Sequence, residues 1–148
     1  MSDVQREWRW CNKCQGMFFS GNTLPNYCPA GGGHSYDQSQ NYGLLQGHQT
    51  SGVWKENWRW CAKCQGLFWS GDQNNEVGRC SDASVSTGHD AAGSGDYTVS
   101  LGPLLWATKS FFRYCVRCAG LWNINNSSTG YCPAGGGHSS EGSGEFYV

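Results

Sequence analysis

The chain has 148 residues and a formal net charge of −1, with 10 Lys and Arg against 11 Asp and Glu. Charged residues make up 14% and aromatic residues another 14%, which excludes a disordered polyelectrolyte and a strongly basic nucleic-acid binder and leaves a small core rich in rings. No stretch approaches the ~20 apolar residues of a membrane span, and Met1 to Glu7 hold no apolar run of a signal peptide, so a cytoplasmic protein with reduced thiols is expected.

In chain order, Trp8-Arg9-Trp10 alternates apolar and polar and predicts a short strand. Met17-Phe18-Phe19 and Tyr42-Gly43-Leu44 predict two more. The set returns as Trp58-Arg59-Trp60, Leu67-Phe68-Trp69 and Tyr97-Thr98-Val99. It returns again, more loosely, from Phe112-Arg113-Tyr114 through Leu121-Trp122 to Phe146-Tyr147-Val148. A fourth short strand fits before the third Cys of each copy. No window carries a helical period, and 22 Gly argue against long helices.

The chain therefore divides into repeats 1–50, 51–103 and 104–148 of a single domain. Gln46 to Gly52 and Leu101 to Pro103 read as linkers. They are short, and the adjoining Val53-Trp54 and Leu104-Leu105-Trp106 are apolar where a flexible tether would be polar. The expected fold is thus all-β: three zinc-stapled repeats of about four short strands, packed with pseudo-threefold symmetry in a β-trefoil-like unit. Tandem zinc-ribbon beads and a β-prism are the alternatives.

Each copy supplies three Cys and one His. The sets are Cys11, Cys14, Cys28 and His34; Cys61, Cys64, Cys80 and His89; and Cys115, Cys118, Cys132 and His138. Together they use all 9 Cys and leave only His48 of the 4 His. Four N/S ligands make a closed tetrahedral zinc site, so three structural zinc ions are expected. A disulfide framework is disfavoured, because three Cys per copy always leave one over. Gly16, Gly66 and Gly120 are expected to let each C-x-x-C turn. Lys13, Lys63, Arg117, Arg9, Arg59 and Arg113 are expected to offset thiolate charge, since three such sites lower the net charge to about −4.

The motif W-x-W-C-x-K-C-Q-G-L-F, followed by C-P-A-G-G-G-H, resembles a tandem Cys3His repeat family of microbial proteins, sometimes found beside secreted hydrolases. The resemblance covers nearly the whole chain. The third copy has Ala119 in place of Gln, and the middle copy lacks the C-P-A-G-G-G-H ending. What the resemblance implies is a metal-stapled binding module rather than a reaction. By analogy, the threefold plan is similar to that of β-trefoil lectins.

Sugar sites pair aromatic faces with groups that read hydroxyls. Asn41-Tyr42, Asp96-Tyr97 and Glu145-Phe146 offer such pairs, each after a Gly/Ser-rich loop, and Phe19, Trp69 and Trp54 are candidate platforms. The expected function is multivalent carbohydrate binding, with glycans or glycoproteins as partners. Taken singly, any one of these rings fits the core better than a sugar site. A protein-interaction or toxin-associated adaptor is the alternative. A single-stranded nucleic-acid-binding zinc ribbon ranks lower, because the bases sit beside the thiolates. Catalysis is not expected: each ligand set is full at four, and no His-x-Glu or His-Glu-x-x-His motif is present.

Overall fold

The computed structural model describes residues 4–21, 27–37, 39–46, 54–70, 80, 88–91, 93–102, 111–124 and 130–147. These residues form an all-β protein, with no helix among them. The first repeat holds β1 (Val4–Trp10), β2 (Met17–Phe19) and β3 (Tyr42–Gln46). The second holds β4 (Trp54–Trp60), β5 (Leu67–Trp69) and β6 (Tyr97–Ser100), and the third holds β7 (Phe112–Tyr114) and β8 (Leu121–Asn123). His48, Pro103, Val148, Leu104 to Trp106 and most of the segment before each third Cys lie outside the described residues.

Every strand pair is antiparallel. Each repeat opens with the same hairpin, in which Trp8 faces Phe19, Trp58 faces Trp69 and Phe112 faces Asn123. The third segment of each repeat then returns to the first strand: Tyr42 faces Trp8, Tyr97 faces Trp58 and Phe146 bridges to Phe112. The six strands of the first two repeats form one sheet in the order β2-β1-β3-β6-β4-β5, and β7 pairs with β8. A bridge from Tyr147 to Ser100 ties the third repeat to β6.

One residue of the expected linkers belongs to a strand: Gln46 closes β3, while Trp54, beyond that linker, opens β4. Register shifts in β1 and β4 bring Glu7 and Asn57 to positive φ (78° and 71°), one residue before the inward Trp in each repeat. The bulge leaves Glu7 N free of the ladder, and it donates to Asn41 Oδ1 at 2.7 Å.

Burial follows the threefold plan. Trp8, Trp58 and Phe112 are fully buried, with Met17, Leu67 and Leu121 beside them. Tyr42, Tyr97 and Phe146 fill the same cluster with Leu44 and Val99. Edge-on ring contacts join successive repeats: Trp8 to Tyr97 at 5.3 Å, Trp58 to Phe146 at 5.4 Å and Tyr42 to Phe112 at 5.3 Å. No repeat of this size buries such rings alone, so the three share one core.

The second strands meet around the axis. Phe19 N donates to Gln65 O, Trp69 N to Ala119 O and Asn123 N to Gln15 O, at 2.9, 2.9 and 2.8 Å. The acceptors run from repeat one to two, two to three and three to one. This closed ring rules out independent beads.

Candidate metal centres and inter-repeat clefts

Each repeat brings its three Cys and one His into one cluster, with all ligand atoms within 4.8 Å of one another. Cys11, Cys14 and Cys28 meet His34; Cys61, Cys64 and Cys80 meet His89; Cys115, Cys118 and Cys132 meet His138. All nine thiols are buried and none forms a disulfide. The Sγ atoms of Cys11 and Cys28, Cys61 and Cys80, and Cys115 and Cys132 lie 3.9, 3.7 and 3.9 Å apart. Each His Nδ1 stands 3.6 Å from the second knuckle sulfur. A tetrahedral ion with metal–sulfur bonds of about 2.3 Å and metal–nitrogen bonds of about 2.05 Å has edges of about 3.8 and 3.6 Å. The spacing therefore fits a four-coordinate metal ion, and each cluster can hold one.

The local backbone explains how the sulfurs converge. Cys14 N and Cys64 N each donate to the first knuckle sulfur at 3.5 Å, and Gly16 N and Gly66 N donate to the second at 3.4 Å. These N–H groups favour thiolate over thiol. The left-handed residues of the turns are Gln15, Gln65 and Ala119 (φ 70°, 69° and 67°), not the glycines expected from sequence. A Cβ at Gly66 or Gly120 would press on the preceding Cys sulfur at 3.3 Å, whereas at Gly16 it would make an ordinary contact at 3.5 Å.

Each imidazole is held from two sides. His34 stacks on Phe18 at 4.5 Å, His89 on Phe68 at 4.6 Å and His138 on Trp122 at 5.2 Å. Their Nε2 atoms donate to Cys64 O, Cys118 O and Cys14 O, at 3.2, 3.0 and 2.9 Å. A carbonyl only accepts, so Nε2 carries a proton and Nδ1 is the ring nitrogen turned to the sulfurs. Burial works to lower the pKa of His34 and His138, but hydrogen bonds to Cys11 and Cys28, and to Cys115 and Cys132, outweigh it and lift both to about 9. Hydrogen bonds from Cys14, Cys64 and Cys118 hold Cys11, Cys61 and Cys115 far below the ordinary thiol range.

The basic residues have other work than balancing thiolates. Lys13 Nζ donates to Gly31 O at 2.7 Å, and Arg117 to Gly137 O at 2.7 Å, so both fasten the Gly-rich turn that carries the His. Arg59 pairs with Asp96, Arg113 with Glu145 at 3.5 Å and Arg9 with Glu7 at 3.5 Å. The acid changes sides between copies: Glu7 with Asn41 in the first repeat, Asn57 with Asp96 in the second.

The candidate sugar residues separate into two groups. Tyr42, Tyr97 and Phe146 are 8%, 4% and 3% exposed, which corrects them from open stacking faces to core rings. Asn41, Asp96 and Glu145 are tied to Glu7, Arg59 and Arg113 and line neither cleft described below. Trp54 sits opposite Ser100 and also lines neither. Phe19 and Trp69, in contrast, stand at equivalent places in two clefts between repeats.

The cleft between repeats one and two measures about 210 Å³. Phe19 and Trp60 wall it, the Gly93-Ser94-Gly95 loop borders it, and Gln5 and Tyr97 line its inner side. Its counterpart between repeats two and three measures about 310 Å³ and uses Trp69, Tyr114, Gly142-Ser143-Gly144, Lys55 and Phe146. Trp60 and Tyr114 were legible only as strand residues, because nothing local shows which rings a neighbouring repeat will face. Ser94 and Ser143 each accept from the wall residue's N–H, at 2.7 and 2.8 Å, which fixes loop against strand. At the third junction Asn123 occupies the place of Phe19 and Trp69. Compared with family models, curated proteins and solved structures, the chain matches none.

Proposed function

We propose that the protein is a carbohydrate-binding protein, stapled by three structural zinc ions, that carries its sugar sites in the clefts between repeats and performs no reaction. The observation that carries this reading is the recurrence of one cleft design at two junctions. In each, two aromatic walls come from different repeats, and a Gly-Ser-Gly loop brings backbone polar groups beside them. Rings that offer a flat apolar face next to fixed hydrogen-bonding groups suit a pyranose, which has one apolar face and a rim of hydroxyls. Placing such clefts on one rigid body favours multivalent glycans through avidity.

Zinc is supported by the soft donor set and by tetrahedral spacing. Four protein ligands per site, the three Cys buried in each, leave no open position for a reacting water, which supports a structural role.

The test is a glycan array probed with metal-loaded protein at physiological salt, with Phe19→Ala and Trp69→Ala variants beside it. Selective binding that both variants weaken is expected, together with three zinc ions per chain by elemental analysis. A blank array from folded, zinc-loaded protein would overturn the reading in favour of a protein-interaction adaptor.

A further inference from the structure

We propose that the cleft between the second and third repeats selects a sugar bearing a carboxylate, whereas the cleft between the first and second takes a neutral one. The proposal rests on the carbohydrate reading above and assigns the two sites different ligand classes. It follows from two exchanges among the residues that line the clefts.

In the first cleft the Gln5 side chain completes an internal network. Its Oε1 accepts from Trp8 Nε1 at 3.0 Å and from the Tyr97 hydroxyl at 2.6 Å. The buried indole is thereby satisfied, and the site meets a ligand without net charge.

In the second cleft the equivalent of Gln5 is Lys55, and the equivalent of Tyr97 is Phe146. The indole remains, as Trp58, but an ammonium has no lone pair to offer it. Trp58 lines the cleft, is fully buried, and its Nε1 has no hydrogen-bond partner. Lys55 Nζ sits 4.1 Å from the centre of the Trp69 ring and meets no carboxylate among the described residues. The cleft therefore presents a cation beside aromatic rings, and the unanswered indole N–H lies buried in its wall. A ligand oxygen carrying negative charge answers the ammonium. One lysine matches one carboxylate, while the walls of Trp69 and Tyr114 receive the apolar face of the sugar ring.

The test uses metal-loaded full-length protein and matched methyl glycosides: glucoside against glucuronide, and galactoside against galacturonide. Each pair differs only at C6. Binding is read by ligand-observed NMR, with N-acetylneuraminic acid as a further acidic probe. At least one acidic probe should bind about tenfold more tightly than a neutral one at low salt, and the preference should shrink as salt rises. Lys55→Gln should abolish binding of the acidic probe at the second cleft, while neutral binding at the first cleft, which Lys55 does not line, persists. This variant should fold at least as well as the parent, because Gln supplies Trp58 with the acceptor that Gln5 supplies to Trp8. Neutral sugars that bind while no acidic probe does, or acidic binding that survives Lys55→Gln, would overturn the proposal and leave the carbohydrate reading standing. Failure of every probe, neutral and acidic, together with a blank array, would overturn both.

Discussion

His138 Nε2 donates to the backbone carbonyl of Cys14 at 2.9 Å, across 124 positions of sequence. Cys14 is a ligand of the first cluster, and His138 is the fourth ligand of the third. The same bond joins His34 to Cys64 and His89 to Cys118. Each cluster thus takes the outer partner of its imidazole from the knuckle of the next, and the three are linked in a ring.

Metal occupancy should accordingly be coupled between repeats. Replacing Cys118 by Ser removes a ligand from the third cluster and disturbs the carbonyl that orients His89. Loss of an outer-shell partner costs about 10- to 100-fold in metal affinity. Native mass spectrometry under zinc competition should show the second site weakened as well as the third. Two sites of parental affinity in the variant would mean independent clusters.

Complete metal removal should unfold the protein. Each structural zinc contributes about 10 kcal/mol or more, and without it nine buried sulfurs crowd together with no cation to hold them. A strong chelator should abolish the near-ultraviolet circular dichroism of the packed Trp8 and Trp58, and zinc should restore it. A chelated protein that kept its tertiary signal would contradict the role assigned to the metal.

Gly130 and Gly135 give a contrast in backbone tolerance. Gly130 has φ +69°, and a Cβ there would collide with the Cys14 carbonyl, the acceptor of His138. Gly135 has φ +101° with open space around it. Gly135→Ala should cost about 1–2 kcal/mol from strain alone. Gly130→Ala should cost distinctly more and weaken zinc at the first and third sites, as read by thermal denaturation and metal competition.

Gln65 tests the knuckle. It is fully buried at φ +69°, and its Oε1 accepts from Trp60 Nε1 at 2.6 Å. Gln65→Ala keeps the left-handed strain and removes the acceptor, for an expected loss of about 1–3 kcal/mol. Gln65→Gly loses the same bond but relieves about 1 kcal/mol of strain, so it should be the milder change in urea denaturation. Equal losses would show that the strain is negligible.

The ligand sets were legible because coordination is a local pattern. Cys-x-x-Cys, a third Cys and a His at repeated spacing name the twelve residues without any knowledge of packing. Strand positions were legible for the same reason: alternation in Trp8-Arg9-Trp10 and its copies marks which side chains turn inward. The roles of single residues were less so. The left-handed turn residue is Gln15 rather than Gly16, a choice of backbone that the Cys spacing does not reveal. Tyr42, Tyr97 and Phe146 carried the signature of exposed platforms and lie in the core, since a ring beside a polar residue reads alike in both places.

Sequence alone determined the number of repeats, the all-β character and the residues of the metal clusters, all of which rest on covalent spacing and side-chain chemistry within about 50 residues. Tertiary structure decided what each repeat does for the next: the carbonyl that orients each His, the shared core of Trp8, Trp58 and Phe112, and the clefts that pair Phe19 with Trp60 and Trp69 with Tyr114. Those relationships depend on how three nearly identical units dock about an axis, and that docking is set by shape and burial across chain segments that no local pattern connects.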